Sequence, residues 1–190
     1  MLFRAKAYIK FLLNSTNQHG VHSPFVYSLV TLCFYKRTKK ESSVLIKEIF
    51  KKNNSGLRFK DAKLLNRLIP YFQYHKTLIL GKSSGFVSQI AQVNNSISVY
   101  TSFLTEENFD FIYLDFQTDT YTSEIFEKLF LKIHNNSLLL IHGICTSEKS
   151  IQLWNTLKEH PRVRVTINTY YFGFVFFRKE QAKEHFTIRM

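Results

Sequence analysis

Apolar residues recur at intervals of three and four through the first part of the chain, at Leu2, Ala5, Ile9 and Leu12, and again at Leu64, Leu65, Leu68, Ile69 and Phe72. That spacing builds one face of an α-helix, so residues 1 to 75 read as a run of helices. Ser23 followed by Pro24 marks a helix start, with Ser as N-cap and Pro where its missing N–H costs nothing. This second helix runs to about Tyr35. Lys39 to about Asn53 forms a third, and Asp61 to Phe72 a fourth.

After His75 the period changes. Thr77–Leu80 is a short β-type run, Gly81 to Gly85 a turn, and Phe86 to about Val93 a helix. Ile97–Thr101 is a second strand. Phe109–Asp115, reading FDFIYLD, is apolar on both faces, as a central parallel strand must be. Thr122 to His134 follows as a helix, Ser137–His142 as a strand, Ser147 to His160 as a helix, and Val163–Asn168 as a strand. Thr166–Tyr171 and Phe172–Phe177 lie too close together for a crossover helix and predict an antiparallel hairpin at the sheet edge. The class is α/β with a mainly parallel sheet. Residues 1–75 form a helical cap and residues 76–190 the core, together one compact unit.

Composition narrows the functional classes. Six glycines and three prolines among 190 residues, with 45% apolar residues, exclude a disordered or linker-rich chain. Cys33 and Cys145 are too far apart for a C-x-x-C site and too few for a disulfide framework, which fits a reducing compartment. No apolar run of about 18 residues occurs. Basic residues scattered through the first helix differ from a secretory leader, so the expected location is cytoplasmic. The net charge of +12 is uneven, because residues 1–60 carry 12 basic residues against Glu41 and Glu48 alone. A field of that sign attracts nucleic acid or an acidic partner, or simply solvates helices.

In a parallel sheet, ligands bind beyond the carboxyl ends of the strands. Four segments are candidates. The turn Gly81-Lys82-Ser83-Ser84-Gly85 either connects strand to helix or presents helix N–H groups to a ligand, with Gly81 allowing the tight turn and Gly85 close helix packing. Asp115, ending its strand, points into the crevice to bind a metal, orient an amine or accept a proton, or it caps a helix or turn; Asp119 lies nearby. His142, ending the next apolar strand, is a base near neutral pH or a structural hydrogen-bonding group. His19 and His22 in QHGVHSPF, with no Cys or Asp at metal spacing, read as an entry turn. Cys145 has no partner His at a diagnostic spacing, and Trp154 reads as core.

The segments QHGVHSPFVYSLVTLCFY (residues 18–35) and HPRVRVTINTYYFGFVFFRKEQAKEHFTIR (residues 160–189), with the Gly81 turn and LWNTLKEHP, resemble class I S-adenosylmethionine-dependent methyltransferases. More narrowly, they resemble the small O-methyltransferase-like proteins of Bacteroidetes-type bacteria. The resemblance implies a Rossmann-like fold with helices on both faces of the sheet. It also implies S-adenosylmethionine as cofactor, its methionine part lying against Gly81, Ser83 and Gly85. Asp115 matches the family's fourth-strand aspartate. Other positions depart: the acid preceding the turn falls at Ile79, and the ribose-binding acid falls at Thr101 and Ser102. The paired aspartates after the next strand fall at His142 and Gly143. The adenine-binding segment is shortened away. The expectation is a methyltransferase-like protein with weakened or lost cofactor binding that acts as a non-catalytic module. The alternative is an active methyltransferase with Asp115 or His142 as base.

Overall fold

The structure is a computed structural model and describes residues 2–52, 56–102, 108–116 and 123–190. Helix α1 (Leu2–Asn14) leads through a tight turn at Gln18–Gly20 into α2 (Pro24–Leu29), and α3 (Lys40–Lys52) and α4 (Phe59–Phe72) follow. The Ser23 hydroxyl accepts the Val26 N–H, so the cap expected from Ser-Pro is formed. Helix α2 does not stop at Leu29 but widens into a π-helical segment over Val30–Phe34.

The core follows as β1 (Lys76–Leu80), α5 (Ser84–Gln92), β2 (Ser98–Tyr100), β3 (Phe109–Asp115), α6 (Ser123–Phe130), β4 (Ile133–His142), α7 (Glu148–Glu159), β5 (Val165–Asn168), β6 (Phe172–Phe176) and β7 (Glu184–Thr187). The seven strands lie in the order β2-β1-β3-β4-β6-β5-β7. Strands β2, β1, β3 and β4 run parallel, β6 is antiparallel to both β4 and β5, and β7 is parallel to β5.

Two expectations need correction. The helix expected to reach His134 ends at Phe130, and Ile133 already pairs with Phe109. The apolar spacing misleads there because β4 begins with a bulge: the Ser137 hydroxyl donates to the Phe109 carbonyl at 2.7 Å and accepts the His134 N–H at 2.9 Å. The hairpin is present as β5 and β6 but does not form the sheet edge. Strand β7 covers it, and its exposed Glu184 and His185 carry no β-type pattern.

Alternation along the strands sorts side chains into two cores. Phe111, Tyr113, Leu138, Leu140, Phe172 and Phe174 face α2, α4 and α5. Ile112, Leu114, Leu139, Ile141 and Val175 face α6 and α7. The helical cap thus supplies one whole layer of the domain: Val26, Leu29, Leu65 and Leu68 are fully buried on the sheet. Burying a side chain of this kind contributes about 1.5–3 kcal/mol. Trp154 on α7 is core as expected, 4% exposed, with Gly173 of β6 beneath its ring. Helix α1 docks at the end of the sheet, where Tyr8 and Phe11 pack on Tyr170 and the Tyr170 hydroxyl donates to the Arg4 carbonyl. None of the described helices is long and apolar enough to cross a membrane.

Candidate functional site

The carboxyl ends of β1, β3 and β4 meet at one crest, because Leu80 pairs with Leu114 and Asp115 with His142. Asp115 continues the alternation of Phe111 and Tyr113, and His142 that of Leu138 and Leu140, so both side chains leave the sheet on the face covered by the cap. Between β1 and α5 the chain turns at Gly81, whose φ of 119° is a conformation that L side chains rarely adopt. That turn delivers Ser83 to the start of α5. The Ser83 hydroxyl caps no helix N–H and instead donates to Asp115 Oδ2 at 2.9 Å. On the other side of the carboxylate, His142 Nδ1 stands 3.4 Å from Oδ1, outside hydrogen-bonding geometry.

These three residues are 9%, 3% and 2% exposed. A carboxylate so far from water is costly unless hydrogen-bonded, and Ser83 supplies one such bond. The Phe172 ring packs edge-on against the His142 imidazole at 5.4 Å, and the Gly143 N–H donates to the Tyr171 carbonyl at 2.8 Å. The cap reaches the crest through Arg58, whose guanidinium lies 3.2 Å from the centre of the Tyr171 ring while binding both Asp61 oxygens at 2.6 Å. The sequence gives no sign of Arg58 or Tyr171, whose positions depend on contacts across the fold.

Of the residues singled out from sequence, Ser83, Asp115 and His142 come together. Gly81 shapes their approach. Gly85 is exposed, and a Cβ built there would meet nothing within 4 Å, so the expectation that it permits close helix packing is corrected: open space faces it. Thr101 and Ser102 are exposed just past the end of β2, two strands away from Asp115. Ile79 is fully buried in the core beneath the cap. His19 and His22 are exposed in the segment leading into α2. Asp119 lies outside the described residues. Cys145 is half-buried, and burial pushes its thiol up to about 11, which holds it protonated at neutral pH. Among the described residues, no group of three His, Cys, Asp or Glu side chains is placed to hold a metal ion.

No protein-family model and no curated protein matches the sequence. Solved structures do match the fold. An SAH-bound methyltransferase from Podospora anserina superposes with a TM-score of 0.57 at 10% identity, over 84% of this chain and 97% of that one. A methyltransferase from Geobacter sulfurreducens gives 0.53 at 11% identity, over 77% and 92%. An O-methyltransferase from Bacillus cereus in complex with SAH gives 0.50 at 16% identity, over 79% and 94%. At these identities the likeness is one of fold, and the chain is a protein of the Rossmann-like methyltransferase fold.

Proposed function

We propose that this is a methyltransferase-like protein whose cofactor crevice has closed on its own side chains, so that S-adenosylmethionine binding is weakened or lost and the scaffold serves as a non-catalytic binding module. The observation that carries the reading is the pairing at the crest: the Ser83 hydroxyl, expected to face the methionine part of the cofactor, is engaged by Asp115 inside a buried cluster with His142.

The residues present do not fit the cofactor. Its amino group calls for an acid where Ile79 is sealed in the core, and its ribose for an acid where Thr101 and Ser102 offer hydroxyls. Each missing charge-assisted hydrogen bond is worth about 1.5–3 kcal/mol, so two such losses weaken binding by roughly two to four powers of ten. Strand β2, with three residues, is also the last strand on its side of the described sheet, which favours a shortened adenine wall.

One observation favours the alternative of an active S-adenosylmethionine-dependent methyltransferase, with Asp115 or His142 as base: the open space at Gly85 leaves room beside the turn. Calorimetric titration with S-adenosylmethionine and S-adenosylhomocysteine separates the two, repeated on Gly85→Arg, whose added Cβ meets open space. The proposed reading expects no saturable heat below about millimolar ligand. Micromolar binding that Gly85→Arg abolishes would overturn it.

A further inference from the structure

The crest lies at the N-terminal end of α5. At the other end of that helix, where Val93, Asn94 and Asn95 follow it, a cavity of about 370 Å³ opens between α3, α4 and the segment after the π-helical turn. This is within the volume range of small-ligand sites. Its lining carries Lys36, Arg37, Lys39 and Arg67 against one carboxylate, Glu41. Lys36, Arg37 and Lys39 are exposed at the rim, and Arg67 is half-buried beneath them.

Arg67 is held in a fixed pose. Its Nε donates to the Cys33 carbonyl at 3.0 Å, Nη2 to the Phe34 carbonyl at 3.1 Å and Nη1 to the Thr38 hydroxyl at 2.6 Å. Among the described residues no carboxylate stands within ion-pair distance of it, so neutral oxygens alone meet a partly desolvated cation. Three further cations beside it raise the local positive potential. An anion in the cavity relieves both the desolvation and the mutual repulsion. The same lining also holds Leu32, Pro70, Tyr71 and Val93, with Pro70 and Tyr71 one turn on from Arg67 along α4, so apolar surface and one aromatic ring share the cavity with the cations.

We propose that this cavity binds a small ligand of nucleotide class, its phosphates among Lys36, Arg37, Lys39 and Arg67 and its ring against Tyr71 and Pro70. A concave site whose lining combines cations with apolar residues and an aromatic ring suits a compact ligand that carries both phosphates and a ring. A polynucleotide needs an open basic stripe along which its phosphates can lie. The cavity is separate from the crest, so the inference stands whether or not S-adenosylmethionine binds there.

The test is calorimetric titration of the full chain with ADP, inorganic pyrophosphate, adenosine and a short single-stranded RNA. The expected result is saturable binding of one ADP, with pyrophosphate and adenosine each at least about tenfold weaker because each engages one half of the site. The triple variant Lys36→Gln, Arg37→Gln, Lys39→Gln, whose side chains are all exposed, should weaken ADP by about tenfold or more, while Lys179→Gln, on another surface, leaves it unchanged. Gly85→Arg should also leave ADP binding unchanged. Four results would overturn the proposal: no ADP binding, ADP binding indifferent to the triple variant or lost in Gly85→Arg, pyrophosphate binding as tightly as ADP, and RNA binding without ADP binding.

Discussion

Replacing Ser83 with alanine tests whether the crest is closed. The hydroxyl donates to Asp115 Oδ2 at 2.9 Å, and the two residues are 9% and 3% exposed. Water reaches neither group easily, so the variant removes one hydrogen-bond donor from a buried carboxylate. Hydrogen bonds to charged groups contribute about 1.5–3 kcal/mol, more than neutral ones, and the loss of a buried partner carries the desolvation cost as well. For a chain of this length each kcal/mol lowers the melting temperature by about 2–4 °C, so Ser83→Ala should melt about 3–12 °C below the parent. Thermal and urea unfolding both read this out. A double-mutant cycle with Asp115→Asn isolates the pair, and the two changes should couple by about 0.5–3 kcal/mol. If Ser83→Ala unfolds within about 0.5 kcal/mol of the parent, as an ordinary surface change does, the hydroxyl is not holding Asp115 and the argument for a self-satisfied crest collapses.

Two other substitutions probe the frame around the site. A Cβ at Gly173 would come within 2.5 Å of Trp154 Cζ3, against a rigid ring rather than a flexible chain end, so Gly173→Ala should cost about 1–3 kcal/mol in urea unfolding; an unchanged midpoint would mean that α7 shifts freely on the sheet. Asp110 sits at the opposite end of β3 from the crest. Burial pushes its carboxyl up, but the N–H groups of Lys76 and His75, at 2.8 Å each, and His134, at 3.0 Å, outweigh burial and hold it below its ordinary value. A depressed carboxyl contributes stability above its unfolded pKa of about 3.9 and loses it as pH falls through the folded value. The parent's urea midpoint should therefore fall more steeply than that of Asp110→Asn below about pH 4, and parallel profiles would remove Asp110 from the account.

The parts of the fold legible in the sequence are those whose cause is local. Phe109–Asp115 forms the strand its pattern indicates, residue for residue, because the apolar run Phe111–Leu114 between two aspartates is what a strand buried on both faces requires. Ser147 caps α7 through reciprocal bonds with Ser150, both within four residues of chain. Strand β7 escapes notice because its pairing with β5 is an edge contact that tolerates Glu184 and His185. The early start of β4 is hidden for a related reason, since Ser137 works through a carbonyl 28 residues away. At the crest, the strand-end rule finds Asp115 and His142. Their partnership with Ser83 depends on which strands are neighbours, and that depends on the whole sheet.

The two ends of α5 show why a shared fold leaves function open. At its N-terminus, backbone N–H groups and a glycine turn form the kind of place where this architecture receives anionic or polar ligand parts, yet the Ser83 hydroxyl delivered there is taken up by Asp115. Near its C-terminus the cations collect instead. Part of that charge has a structural cause, because Arg67 supplies donors to the Cys33 and Phe34 carbonyls at the end of the π-helical segment, where a helix leaves acceptors open and favours positive charge. Lys36, Arg37 and Lys39 are exposed and line the same cavity as Arg67. In the proposed anion site, the electrostatic cost of these like charges in the free protein would be regained when an anion arrives. That site lies a helix length away from the crevice that the fold itself would nominate.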